Sequence, residues 1–542
     1  MVPASLERAA RRTEAGVWKE AKDAALLKQT TAADVLSGSG DIFLDVEPAS
    51  LLARHAAATQ CTGVDLFISH SWSAGRWEKF LSLCLHLNFR MAVRAASAAF
   101  SAGAMTFLVL SGGLTRKVPS FISPEPLLVD LPVGIFFLFF FYGHLLTCGS
   151  CSPTIWLDKI CVNQSDPAQK ARAVSLLPSF VACSSSMVVL WDETYFERLW
   201  CNLEIAIYAT RASDLKPPHF VPSWLAPWLL GSVLMDWFSV RAVIPLWVSM
   251  AIKQETHTPA RSRDAADAVI ANEMLWACFA LLCLPAAVVA GVSFNRAIRQ
   301  RQQMIQQLHY FDVREAKCAV DADRAMLETF ITQMFSGQES STSTPDQPAT
   351  EVCPLIRVNN ESAQADVTSS LEAFNSYVQG RFREAVETEL GDALRLPFHF
   401  CFVACFPANM FWASVILNCE GEACSDTLDR YGYRDMTGLY GASGLSIATI
   451  WLCLPMIYPC LLQLLNLFAS GKQVGNCTAA VCSFLAHLYV FLLLGLATAF
   501  HWLLFTKCSL GWLLADLAAI VILLLHMRGL FGGQAATSWA PN

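Results

Sequence analysis

The chain has 542 residues, of which 54 % are hydrophobic and only 15 % charged, and its mean hydropathy is +0.41. Soluble domains carry roughly 45–50 % apolar and about 25 % charged residues, so a wholly soluble globular protein is excluded. The net charge of −7 and the lack of a dense Lys/Arg run speak against nucleic acid as a partner and leave membrane lipid as the expected one.

The first residues, MVPASLERAARRTEAGVWKEAKDAA, are charged, have helical spacing and lack the apolar core of a signal peptide, which predicts a cytosolic N-terminus. Residues 1–60 read as an N-terminal helical region closed by DIFLDVEP, a candidate strand. VDLFIS at 64–69 is a near-continuous apolar run of strand length, as in a parallel strand buried on both faces, and RWEKFLSLCLHLN follows as a helix. A transmembrane hairpin at 91–150 then interrupts, with Arg116 and Lys117 at its far turn. Beyond it come TIWLD at 154–158 and SMVVLW at 186–191 as strands, PAQKARAVSLLPSFVA and FERLWCNLEIAIYAT as helices. Strand and helix alternate, which predicts a parallel α/β domain split between 61–90 and 151–215. Asp158 reads as a strand-end residue and Asp166 as a helix N-cap.

Spans three and four are expected within 226–293. A cytosolic helical region follows at 294–395 with a Ser/Thr/Pro linker at 336–350, then spans five to eight within 396–527 and a tail at 528–542. A spanning helix needs about 20 apolar residues. Eight segments qualify, centred on 91–113, 128–148, 226–250, 272–293, 397–418, 444–468, 479–505 and 508–527. An even number of crossings puts the Lys- and Arg-rich parts on one side, as the positive-inside rule asks. Asp236 and Arg241 fall in the third span as candidate partners of each other, and His399, His487, His501 and Asp516 lie in or near other spans. Most of the 20 cysteines fit membrane packing; Cys419 with Cys424, on the expected outer side, could pair, and Cys148 with Cys151 is a weak CxxC motif.

At the expected carboxyl ends of the strands stand Ser69, His70, Ser71, Trp72, Ser73, Asp192 and Tyr195, and Trp200, Glu204 and Tyr208 share one helix face. VDLFISHSW, IWLDKICVNQ and SSSMVVLWDETYFERLWCNLEIAIY resemble three successive segments of TIR domains, the second also of fungal HET domains, and the third carries the WCxxE signature. The resemblance covers about 120 residues and is similar to that of multi-span proteins of dinoflagellate-type protists. It implies a flavodoxin/TIR-like parallel α/β fold, here incomplete because the last strands are missing after LKPPHFVPSWL. It further implies Glu204 as the catalytic residue of an NAD-cleaving site, Phe67, Ser69, His70, Trp72 and Trp200 around the nucleotide, NAD as substrate rather than bound cofactor, and self-association through the domain. No metal is implied. The alternatives are a non-catalytic signalling scaffold, in which Glu204 pairs with Arg198 or faces solvent, and a channel or transporter with an accessory domain.

Overall fold

In the computed structural model of the chain, a sheet of six strands carries the α/β part, in the order β2 (Thr59–Gln60), β1 (Lys28–Thr31), β4 (Thr154–Trp156), β3 (Val64–His70), β5 (Ser184–Trp191) and β6 (His219–Pro222). The structure describes residues 27–44, 48–61, 63–110, 125–146, 153–210, 218–243, 265–318, 324–332 apart from 326 and 330, 360–390, 396–417, 428, 432–468 and 474–531. Cys148, Cys151, Cys419, Cys424, the linker 336–350 and the hairpin turn with Arg116 and Lys117 lie outside the described residues.

β3 pairs parallel with both β4 and β5, and β5 with β6, while β1 joins β4 and β2 antiparallel at the edge. The sheet is therefore mixed, with a parallel core. Two expectations change. The missing last strand is present as β6, because HFVP, short as it is, runs beside Val188–Trp191. The candidate strand DIFLDVEP is instead a 3-10 turn at Asp41–Phe43, and the N-terminal strand is β1, in a stretch read as helical. Thr31 ends β1 by capping helix α1 (Ala32–Gly40) through a reciprocal box with Asp34. Gly38 and Gly40, both at positive φ, then turn the chain so that Ile42 and Phe43 are buried.

Side chains alternate across the sheet, so each strand feeds two cores. Leu66, Ile68, Ile155, Val188 and Leu190 face helices α1 and α3 (Arg76–Leu110), after a second short helix, α2 (Pro48–Ala57). Phe67, Trp156, Met187, Val189 and Trp191 face the other way. α3 is one continuous helix of 35 residues: the domain's first helix and the first span are a single rod. It packs along α4 (Leu131–Leu146), where a Cβ on Gly143 would clash with the Met91 side chain. On the second face lie α5 (Pro167–Ser175), α6 (Leu177–Ala182) and α7 (Leu199–Thr210). Asp166 caps α5, its Oδ1 accepting from the Ala168 and Gln169 amides at 2.9 and 3.2 Å. Asp166→Ala is expected to lower stability by about 1 kcal/mol, read as a shift in the unfolding midpoint.

The helical part continues with α8 (Leu225–Phe238), α9 (Ala265–Leu282), α10 (Leu284–His309), α11 (Asn360–Tyr377), α12 (Arg383–Leu390), α13 (Phe398–Ala404), α14 (Phe406–Leu417), α15 (Met436–Cys453), α16 (Ile457–Phe468), α17 (Asn476–Lys507) and α18 (Leu510–Phe531). Among the described residues five helices are long and apolar enough to cross a membrane, or six if the pair bent by 58° at Cys283 is one span. This fits a multi-pass integral membrane protein and corrects the expected eight spans. The segments at 272–293 and 397–418 are broken before Pro285 and Pro407, whose rings cannot continue the hydrogen-bond ladder. α8 runs on through a π-turn at Ser239–Val243, where the described residues of this segment end, and it carries Asp236 and Arg241 within the apolar run. The sixth expected segment begins earlier, at Met436, and bends through a 3-10 turn at Leu454–Met456. Asp236 and Arg241 do not pair: Arg241 Nε lies 3.1 Å from Asp130 Oδ1, and Asp236 Oδ2 accepts the Ala408 amide at 2.8 Å, capping the restart of α14.

Described residues from the 304–318 and 371–386 stretches are part of the domain's packing. Met304, Leu308, Phe311, Phe374, Val378, Phe382 and Val386 join the core on the α7 side of the sheet. The Leu199 amide donates to Lys317 O at 3.0 Å, the Lys317 amide donates back to Glu197 O at 2.5 Å, and Lys317 Nζ meets Glu197 Oε2 at 2.6 Å.

Candidate functional site

The chain leaves β3 for β4 on one side and then crosses to β5 on the other, so strand order reverses at β3 and β5, the place where open parallel sheets bind ligands beyond their carboxyl ends. β3 ends there in Ser69 and His70, followed by Ser71, Trp72 and Ser73; β5 ends in Trp191, followed by Asp192, Thr194 and Tyr195.

Two polar clusters form, one on each face, because consecutive β3 residues point oppositely. On the α7 face the Ser69 hydroxyl donates a short hydrogen bond to Glu204 Oε2 and stands 2.5 Å from the Tyr195 hydroxyl. All three residues are buried, Glu204 at 8 % exposure. Burial pushes the Glu204 carboxyl up to about 8, against the Ser69 hydrogen bond, which favours the charged form. Burial likewise raises the Tyr195 phenol and the Cys201 thiol, whose sulfur lies 3.6 Å from His70 O. Near pH 7 this cluster is a chain in which the Ser69 hydroxyl stands between the neutral Glu204 acid and the Tyr195 hydroxyl. Glu204 is thus bonded to Ser69, not to Arg198 and not to solvent.

On the opposite face Trp72 Nε1 donates to Asp158 Oδ2 at 2.6 Å, and the Lys159 amide to Asp158 Oδ1 at 2.7 Å. His70 Nδ1 is 3.9 Å from that Oδ1, and its ring meets Phe43 edge-on. Two ammonium groups are buried beside it: Lys159 Nζ sits 4.9 Å over the Trp72 ring, and Lys79 Nζ donates to Trp72 O at 3.2 Å. Burial, with Lys79 and Lys159 adding to it, pushes His70 well below the usual imidazole range, so His70 is neutral; its Nε2 is buried without a hydrogen bond among the described residues. Burial raises Asp158 and Asp192. Between the clusters Ser71, Ser73 and Thr194 form a triangle of hydroxyls with sides of 2.7, 2.8 and 3.0 Å, and Thr194 reaches Asp192 at 3.0 Å.

The six residues named from sequence therefore separate. Ser69 and Glu204 touch. Phe67 is fully buried and stacked on Trp156 at 4.5 Å, so it is a core residue with no surface for a ligand. Trp200 packs against the same core from α7. His70 belongs to the opposite face, and Trp72, 41 % exposed, stands at the rim above it. Asp158, expected as a strand-end residue, and Lys79 and Lys159, which no motif singles out, meet in this cluster. Two of them adjoin in IWLDK after a buried strand, which was the available signal. Among the described residues no group of His, Cys, Asp and Glu is placed to hold a metal ion. No protein-family model matches the chain, and no curated protein or solved structure does.

Proposed function

We propose that this is a multi-pass membrane protein whose α/β part is a TIR-like signalling domain on the cytosolic side, and that it cleaves the nicotinamide–ribose bond of NAD or a related nucleotide. The observation that carries the reading is the direct hydrogen bond between Ser69, at the end of β3, and Glu204, on the helix after β5, at the strand-order reversal. Breaking that glycosidic bond develops positive charge on the ribose, and a preplaced carboxylate stabilises it. In the arrangement described here Glu204 is clasped and protonated, which marks a resting form. Ligand entry between the ends of β3 and β5 displaces the Ser69 hydroxyl, and the carboxyl, once released to polar surroundings, ionises.

The test is nicotinamide release from NAD by the full chain in detergent or lipid, for wild type, Glu204→Gln and Glu204→Ala. Release by wild type and a loss of at least 100-fold in both variants is the expected outcome. Equal rates in all three remove Glu204 from the chemistry. The assembly-scaffold reading has its own support, since Phe67 and Ser69 have no exposed surface; concentration-dependent self-association with no release by any form favours it.

A further inference from the structure

Far from the sheet, three polar side chains from three apolar helices meet. Thr449 of α15 lies 2.9 Å from His501 Nε2 of α17, and His501 Nδ1 lies 2.5 Å from Asp516 Oδ1 of α18. Thr449 is 7 % exposed, His501 0 % and Asp516 2 %. We propose that Thr449, His501 and Asp516 form a membrane-buried proton-binding site whose occupancy fixes the docking of α18.

An acidic side chain inside a spanning helix is costly and needs a partner. Fastening alone does not explain this pair, because well-packed apolar residues commonly replace buried ion pairs without loss of stability. The geometry offers two proton states. With one proton on the imidazole, Nδ1–H donates to Asp516 and the Thr449 hydroxyl donates to Nε2; the trio then carries one negative charge. With a second proton, Nε2–H donates to the Thr449 oxygen and the trio is neutral. A hydroxyl serves both states because it can donate or accept. α18 depends on this contact: it exposes most of its side chains, and Asp516 and Leu523 are its buried residues. Losing the proton leaves an uncompensated charge in the apolar bundle and weakens the seat of α18. By reciprocity, whatever holds α18 in place tightens the proton. His501 and Asp516 each lie six residues, about 9 Å, along their helices from the helix ends at Lys507 and Leu510.

Other titratable groups on the packed elements are set apart from the trio. Glu273 of α9 lies against Gly495, nearly two turns away from His501 along α17. α10 brings Arg299 to Val474 O, before α17 begins. α15 contributes Tyr440 and Cys453, and α16 Cys460 and Tyr458, the latter against Trp228. α17 itself has Cys477, Cys482, His487 on Ser483 O, Tyr489 and the terminal Lys507; α18 has His526, 3.3 Å from Tyr489, and Arg528.

Infrared difference spectra of the full chain in lipid nanodiscs between pH 5 and 9 test the assignment through histidine ring bands. Because the chain has 11 histidines, the wild-type spectrum is compared with that of H501N, whose amide keeps hydrogen bonding but not the titration. A histidine signal present in wild type and absent in H501N is the expected result; superimposable spectra overturn the proposal and leave a static brace. If H501N does not fold, T449V decides. Removing the hydroxyl partner is expected to displace the midpoint of that signal by about tenfold in proton concentration, and an unmoved midpoint overturns the site.

Discussion

Between pH 5 and pH 8 the stability of wild type is expected to fall relative to that of Glu204→Gln by on the order of 4 kcal/mol. Burial raises the folded-state value of the Glu204 carboxyl from 4.5 to about 8. The folded protein therefore binds this proton more tightly than the unfolded chain does. The stability it contributes is complete below about pH 4.5 and is lost steadily as pH rises through about 8, above which both states are ionised. His70 acts in the opposite sense below about pH 6.5: its imidazole is held neutral in the fold, and unfolding lets it take up a proton. The difference between wild type and variant cancels that contribution, and Gln at 204 still offers Ser69 an oxygen acceptor. Unfolding midpoints by tryptophan fluorescence at several pH values supply the measurement. Parallel pH profiles for the two proteins would sink the claim that Glu204 is held neutral.

The same carboxyl explains why the sequence could point to a residue but not to its state. The near-continuous apolar runs in VDLFIS and SMVVLW, and the placement of Glu204 in the helix after the third strand, are local properties, and the structure has the strands and α7 at those places. What Glu204 touches is not local. Its partner Ser69, which also meets Tyr195, is set by the β3–β5 register, in which Ser69 lies opposite Val189 and His70 opposite Leu190. A one-residue slip would send Ser69 to the Asp158 face. The span count failed for a related reason. Hydropathy sums apolar residues without regard to chain direction, and the prolines at 285 and 407 interrupt segments whose composition alone suffices to cross. β6 was missed because four residues of HFVP carry too little pattern; only Val188–Trp191 alongside makes them a strand.

The second cluster offers the other large effect. Asp158→Ala is expected to destabilise the protein by about 3 kcal/mol, and Asp158→Asn by less. The carboxylate accepts the Trp72 indole and the Lys159 amide, and it is the acidic group set among Lys79, Lys159 and the neutral His70. Lys79 and Lys159 are only 2 % and 5 % exposed, so removing the negative charge leaves two ammonium groups in a low-dielectric setting with Asp192 as the remaining carboxylate near Lys79. Breaking a buried pair by deleting one partner commonly costs 3–5 kcal/mol. The low end applies here, because the Asp158 side chain is a quarter exposed and water replaces part of what is lost. Asn keeps an acceptor for the indole but not the charge. A double-mutant cycle with Lys159→Met separates the two contributions. If the charge pairing dominates, the double variant recovers at least 1 kcal/mol relative to the sum of the singles. Strict additivity would assign the loss to the Trp72 bond instead, and an Asp158→Ala protein as stable as wild type would show that the backbone acceptors Leu44 O and Trp72 O suffice to hold Lys159 and Lys79 without that carboxylate. Since α3 carries Lys79 and runs without a break from Arg76 to Leu110, this cluster is also where the sheet grips the first membrane helix. Loosening at Asp158 is then expected to appear as faster amide exchange in Arg76–Phe80 before it appears in β5.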